Sequence, residues 1–423
     1  GPGLGKTLQQ LGKEPGLGDS IAKLMVILES KGKAVPFHLV EEFVNEQNGY
    51  KFTSIDQKAL GTGTVAQVHK ATLEVNGKEI ETVIRFIKPG LDQRAEDDIR
   101  ILTKFVDEMI ESGVIKIPGI KNLVSGIGDF LRLDLDLKGT MLRQLDALKL
   151  YQNSFYERVG FKFRKISILV PKLFLPNGGN EIEDNPKIHV QQLLSGDKFE
   201  KVVHNNKTDA RFVAQGMTRH WFEQVIFESG IMHGDLHQGN FAIDIVEKNG
   251  KIDIVIYDYG MVETVKKDIR RAFVRLAGAT SGRDAEILAE SLSSLVKSDE
   301  NKSKLYNDIF KIVDASLEEI PVSKKIPMDH WIKLMIKEGY QIPDQLVTLA
   351  RGAKLVKQLG SIIGYEKLSG RIARKLAFKE TIEALVERDG NYPLMAKDVI
   401  QLGYSNLKSG CVKAFDKFMG IFK

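Results

Sequence analysis

The sequence predicts an α+β chain in two lobes, a strand-rich lobe followed by a helical one. Two observations carry this. Short alternating apolar runs are closed by Asn76-Gly77 and Asn249-Gly250, the strongest local signal for a β-hairpin. After Gly260 the apolar residues recur at helical spacing as far as Lys423, with breaks near Ser281-Gly282, Pro321, Pro343 and Asp389-Gly390. The expected division is a helical extension over 1–50, a strand-rich lobe with inserted helices over 51–194, and a helical lobe over 195–423.

The extension reads as helix from Gly3 to Pro15 and again through Ile21, Leu24, Met25, Ile27 and Leu28, with Leu39 to Val44 as a further helix after Pro36. Leu60-Gly61-Thr62-Gly63-Thr64-Val65-Ala66-Gln67-Val68 opens the strands, and His69–Val75 and Glu79–Ile87 form the hairpin behind it. Helical periodicity covers Asp92 to Ser112 (Ile99, Ile101, Leu102, Phe105, Met109) and then Phe130 to Tyr156, as one helix or a pair. Strands return at Leu169–Leu175 and Lys187–Leu194, and Ser195-Gly196-Asp197 reads as a hinge between the lobes. One helix is expected from Asp209 to Gly230. The chain carries no internal repeat and no low-complexity tract.

Composition excludes several classes. The chain has 423 residues, 43% hydrophobic and 28% charged, which is ordinary for a folded protein with a sizeable core. A net charge of +5 is too small an excess to argue for nucleic acid. The single cysteine, Cys411, excludes an internal disulfide. No apolar run approaches the roughly 18 residues a membrane span needs. The start, Gly-Pro-Gly without Met, reads as a processed end, so a targeting or anchoring segment ahead of it stays open.

Chemistry concentrates in His233-Gly234-Asp235-Leu236-His237-Gln238-Gly239-Asn240 and in Asp258-Tyr259-Gly260. In phosphoryl transfer by kinases an Asp orients the attacking group and an Asn five residues later binds Mg²⁺. Asp235 and Asn240 have that spacing. Phe241–Ile245 and Ile252–Ile256 alternate on either side of Asn249-Gly250, so the hairpin they form should bring Asp258 back beside Asn240, giving two oxygen ligands for one ion. Gly61, Thr62, Gly63, Thr64, Val65 and Ala66 read as a G-x-G-x-x-A loop whose backbone amides approach phosphate. On the strand behind it, Thr82-Val83-Ile84-Arg85 puts Arg at the position of the kinase phosphate-pairing Lys. Two plainer readings compete. His233, Asp235 and His237 are spaced to serve as metal ligands on one strand face, or as a structural polar cluster. Neither accounts for Asn240 or for the hairpin ending in Asp258. The expectation is therefore a bilobal protein-kinase-like fold.

These residues resemble the UbiB family of atypical kinase-like proteins tied to coenzyme Q metabolism. Val65-Ala66-Gln67-Val68-His69-Lys70-Ala71 resembles its A-Q-V-H-R-A strand, Lys88-Pro89-Gly90 its Q-R-P-G element, and Lys6-Thr7-Leu8-Gln9 falls where it carries K-x-G-Q. Asp134-Leu135-Asp136 is similar to its acidic E-x-D element, and His233–Asn240 and Asp258–Val262 to H-A-D-x-H-P-G-N and D-F-G-M-V. The likeness runs from about residue 6 to 265. Four departures stand out: glycines where the family's loop is alanine-rich, Leu8 in place of the signature glycine, Arg85 in place of Lys, and Thr140 where the helix Glu should fall.

The resemblance implies binding of ATP or ADP with Mg²⁺, and ATP hydrolysis or transfer to a small or lipidic acceptor in support of quinone or lipid metabolism. Asp235 would be catalytic and Asn240 and Asp258 would hold metal. Gly61–Ala66, Arg85, Gln192, Lys6 and Gln9 would meet the nucleotide, with Lys6 paired to Asp134 or Asp136. A compartment on the cytoplasmic or organelle-matrix side is expected. Val412, Phe415, Phe418, Met419 and Phe422 among Lys413, Lys417 and Lys423 form a basic amphipathic helix, either packed on the lobe or lying on a membrane. Two rivals remain. A small-molecule kinase of the aminoglycoside or choline type fits His233–Asn240 as well, and a pseudokinase scaffold fits Arg85 and Thr140.

Overall fold

The structure is a computed structural model. It describes residues 34–376 apart from 64, 114–131, 134, 247–249, 297–300, 325, 328 and 374. The chain divides into two compact units, one within 1–156, 164–202 and 238–262, the other within 157–163, 203–237 and 263–423. The α+β class holds.

In the first unit, α1 (Phe37–Asn45) precedes β1 (Phe52–Ile55), β2 (Gly61–Thr62), β3 (Ala66–Val75) and β4 (Lys78–Ile87). The Asn76-Gly77 turn works as read: both residues have positive φ, and β3 and β4 pair in unbroken register from Ala66↔Ile87 to Val75↔Lys78. Two short strands, β7 (Leu173–Phe174) and β8 (Ile188–Gln192), complete a six-stranded sheet of order β1-β3-β4-β8-β7, with β2 on β3. Strand residues alternate faces. One face sends Ala71, Leu73, Ile84, Phe86, Ile188 and Val190 into a core closed by Val40 and Val44, one turn apart on α1. Arg85 and His189 are cross-strand partners and belong to the other face.

After α2 (Leu91–Glu111), helix is expected from Phe130 to Tyr156, but in the described part the main helix is α3, Leu137–Leu150. Asn153–Val159 is instead strand β5, whose pattern of buried Phe155 and Glu157 between exposed neighbours has a period of two. It forms a hairpin with β6 (Lys162–Leu169), so the strand expected at Leu169–Leu175 begins earlier and resumes as β7. After β9 (Ile231–His233), β10 (Phe241–Val246) and β11 (Lys251–Ile256) form the hairpin foreseen from Asn249-Gly250, and the second sheet has order β10-β11-β6-β5. The segment read as a hinge is pinned to it: Asp197 and Ile243 exchange both backbone hydrogen bonds, at 2.7 and 2.9 Å. Gly196 permits that approach, because a Cβ there would sit 2.8 Å from the Ile243 nitrogen.

The second unit is built on helices. Among the described elements are α5 (Lys207–Phe222), α6 (Lys267–Gly282), α7 (Ala285–Leu295), α8 (Lys302–Glu319), α9 (Asp329–Lys337) and α10 (Asp344–Ile362), with α4 (Phe199–Asn205) leading in. Asn206 caps α5 by accepting from the amides of Thr208 and Asp209. The single helix expected to Gly230 stops at Phe222 and widens into a π-turn over Glu223–Phe227. Trp221, Trp331, Phe212, Met217, Leu288, Leu292, Leu346 and Leu349 are buried at the centre. Gly352 seats α10 on α5: its absent side chain leaves room for Trp221, whose ring lies 3.0 Å from where a Cβ would be. No helix among the described residues is long and apolar enough to cross a membrane.

Candidate functional site

The hairpin of β10 and β11 brings its two ends together, as the alternation and turn signal implied. Phe241 pairs with Ile256, and the Tyr257 amide donates to the Asn240 carbonyl at 3.2 Å. Asn240 is buried, and Asp258 follows Tyr257 at the other root of the same hairpin. The Tyr257 hydroxyl donates to the Gly239 carbonyl at 2.9 Å, a further tie across the roots. Asp258 Oδ1 accepts from the Gly260 amide at 3.0 Å, which fixes the carboxylate over its own turn.

The face of β4 opposite the core supplies Arg85, whose guanidinium donates to Asp258 Oδ1 at 3.2 Å. Thr140, where the resemblance puts the kinase helix glutamate, is buried and donates its hydroxyl to the Asp136 carbonyl at 2.9 Å. One turn further on, Gln144 is buried and bonded to His189, Pro171 and Gln191. The network is neutral: burial, with the Arg85 charge adding to it, drives the His189 pKa down to about 3. Where a kinase sets a Lys against a helix Glu, this chain sets Arg85 against Asp258.

A residue the sequence reading missed also serves this segment. Arg143 of α3 donates through Nε to the Tyr259 carbonyl at 3.1 Å, and its Nη1 lies 3.7 Å from Asp136 Oδ2. Asp136 in turn caps α3, accepting from the Gly139 amide at 2.7 Å. Burial lowers the Arg143 pKa, with Asp136 opposing and Arg85 adding to the shift. No sequence signal marked Arg143.

The glycine loop lies along the same sheet. Gly61 pairs with Val68 and Thr62 with Gln67. The Gly63 amide donates to the Ala66 carbonyl at 2.9 Å, and Lys88 Nζ donates to the Gly63 carbonyl at 2.7 Å. The Lys88 amide also reaches the Val65 carbonyl at 3.0 Å. Lys88 therefore splints the loop, and burial lowers its pKa. Gln67 and His69 of the A-Q-V-H stretch do a different job: Gln67 exchanges bonds with the Val35 backbone and contacts His69, which reaches the Asp56 carbonyl. Gln192 lies at the end of β8, paired with Thr82. Lys6, Gln9, Thr64, Asp134 and the amphipathic stretch 412–423 fall outside the described residues.

In the second unit Asp235 Oδ1 accepts from Arg351 at 2.8 Å, and its Oδ2 lies 3.7 Å from His237 Nε2. Arg351 is the second residue missed. It adjoins Gly352, so the contact with Trp221 that seats α10 also sets its reach. His233 is buried, and its Nδ1 accepts from the Asp235 amide at 3.3 Å. Among the described residues no group of three or more His, Cys, Asp or Glu side chains gathers as a metal site.

Residues 28–142 and 170–292, more than half of the chain's length, match the ABC1 atypical kinase-like domain. The chain belongs to this family. The chain is similar to a probable protein kinase UbiB of Aliivibrio fischeri strain MJ11, 26% identical over 220 residues, which are 52% of this chain and 37% of that protein. A probable protein kinase UbiB of Cronobacter sakazakii is likewise 26% identical over 244 residues, 56% of this chain and 40% of its own. An uncharacterised protein in the hydrogenase 1 5′ region of Clostridium pasteurianum is 21% identical, covering 81% of this chain and 64% of its own. The chain thus spans about two fifths of the two UbiB relatives' lengths and just under two thirds of the third's. Among solved structures it is similar to Rv3197 of Mycobacterium tuberculosis in complex with erythromycin, with a TM-score of 0.48, 17% identity and 87% of each chain covered. As an ABC1 protein the chain has a kinase-like α+β fold and a nucleotide-binding domain.

Proposed function

We propose that this ABC1 protein binds ATP or ADP with Mg²⁺ and hydrolyses ATP or passes its γ-phosphoryl group to a small or lipidic acceptor. The observation that carries the reading is the placement of Arg85 at 3.2 Å from Asp258, at the root of the hairpin whose other root is Asn240. Hard oxygen donors from Asn240 and Asp258 suit Mg²⁺, which prefers oxygen and keeps part of its water shell. When bound, the ion would neutralise phosphate charge. Arg85 would meet phosphate oxygens, and the backbone of Gly61–Ala66 would cover the nucleotide with Gln192, Lys6 and Gln9 around it. Asp235 would orient water or an acceptor hydroxyl, held by Arg351 at 2.8 Å. Service in quinone or lipid metabolism, in a cytoplasmic or matrix-side compartment, is the setting this chemistry fits.

Two variants test it. Asp258→Asn should lose the Mg²⁺-dependent part of nucleotide affinity. Asp235→Asn should abolish hydrolysis and leave nucleotide affinity within about twofold. Equal thermal stabilisation of parent and Asp258→Asn by Mg-nucleotide would sink the assignment. A pseudokinase is the second reading, favoured by the neutral Gln144–His189 pair near Arg85. Nucleotide binding without turnover in the parent, with and without lipid, would select it.

A further inference from the structure

The β5–β6 hairpin carries a surface that the nucleotide chemistry does not use. Its base is anchored: Phe155, Ile166 and Ile168 are buried, and Glu157 accepts from Gln215 at 2.6 Å and from Arg219 at 3.1 Å. Its tip is not. Gly160, at φ 62°, forms with Phe161 a two-residue turn, and Phe161 is 94% exposed, Phe163 61% and Tyr156 70%. Single exposed aromatics are commonplace, but three on one short hairpin are not.

Charge narrows the partner. Residues 158–165 bring Arg158, Lys162, Arg164 and Lys165 to this hairpin, and its one acid, Glu157, is buried against Arg219. Arg158 lies over the Phe163 ring at 5.6 Å and donates to the Gly160 carbonyl at 2.7 Å, so cation and aromatic share one face of the tip. At those exposures the three rings offer on the order of 450 Å², short of the roughly 800 Å² per side that a stable protein interface buries. A bilayer sets no such threshold: aromatic rings settle at headgroup depth while neighbouring cations meet anionic phosphates.

We infer that the β5–β6 tip, through Phe161 and Phe163 flanked by Arg158 and Lys162, docks on an anionic membrane surface. The proposed docking does not involve the stretch 412–423 and does not depend on nucleotide binding. Each exposed cation should contribute about fivefold to partitioning on an anionic bilayer.

The test uses the full 423-residue chain with vesicles of phosphatidylcholine alone or with 30% phosphatidylserine (roughly physiological anionic content). The parent should co-sediment with the anionic vesicles and lose binding as salt rises. F161S/F163S and R158E/K162E should each lower partitioning at least tenfold while keeping the parent's thermal midpoint. In F161W the new tryptophan, against two buried ones at 221 and 331, should shift to the blue and be quenched by brominated lipid. Unchanged partitioning in both double variants would overturn the proposal, even if the chain binds vesicles elsewhere. So would an unquenched F161W, or a dimer of the parent that F161S/F163S dissolves.

Discussion

Replacing Arg85 by Gln should move two affinities in opposite directions. The guanidinium donates to Asp258 Oδ1 at 3.2 Å, with side-chain exposures of 15% and 38%. Unit charges at that separation attract by roughly 5 kcal/mol at an effective dielectric of about 20. Asp258 is more than a third exposed, so screening reduces the net value to about 1–2 kcal/mol. A divalent ion that takes Asp258 competes with this pair. Without the guanidinium, Mg²⁺ alone should bind about 5- to 30-fold more tightly. ADP should bind about tenfold more weakly at saturating Mg²⁺, since a charge-assisted phosphate contact is gone. Arg85→Lys should fall between, having the charge without the planar fork. Titration calorimetry of Mg²⁺ alone, then of ADP at saturating Mg²⁺, reads both. An Mg²⁺ affinity that drops or stays level in Arg85→Gln would refute the competition and with it the view of Asp258 as a cation ligand.

Arg143→Ala removes the bond to the Tyr259 carbonyl and should cost about 1–3 kcal/mol of stability; Arg143→Lys should recover part of the Mg-ADP affinity lost with it, and a variant that regains stability but no affinity would reduce Arg143 to a packing residue. Gly196→Ala forces a Cβ to within 2.8 Å of the Ile243 nitrogen and should lower stability by about 1–3 kcal/mol, read as a fall in the thermal midpoint; an unchanged midpoint would show that the Asp197–Ile243 tie is not needed. His220, buried with its pKa driven down to about 3, stays neutral in the folded chain after the unfolded chain begins to take a proton near pH 6.5. Stability should therefore be whole above pH 6.5 and decline as the pH falls from there toward 3, by about 2 kcal/mol at pH 5 from this residue. His220→Gln should flatten that slope in denaturant titrations at pH 5 and 7, and an identical slope would reject the assignment.

What was legible in the sequence was local. The Asn76-Gly77 turn and the alternation on either side of the Asn249-Gly250 signal name the partners of β3 and β10, so the meeting of Asn240 with the segment before Asp258 followed from local pattern. Arg143 and Arg351 were invisible for the opposite reason: each reaches a partner 116 residues away, and no periodicity encodes such a pairing. Thr140, at the place the resemblance gives the helix Glu, signals a missing acid in the sequence. It could not tell that the helix answers one turn later with neutral Gln144, bonded to a histidine from β8. The strand at Asn153–Val159 was hidden by its position after the apolar run of α3, and its period of two is plain only once that helix is seen to end at Leu150.

The splint from Lys88 has a consequence for the thermodynamics of ligand capture. Glycine loops lose more conformational freedom on ordering than other segments, and a loop ordered by its own ligand charges that loss to the affinity. Here the bonds from Lys88 to the carbonyls of Gly63 and Val65, at 2.7 and 3.0 Å, hold the residues on either side of position 64 from just past the end of β4. If the loop meets phosphate as proposed, the entropy of fixing those flanking residues is already spent during folding, and less of the binding enthalpy would be lost to ordering them.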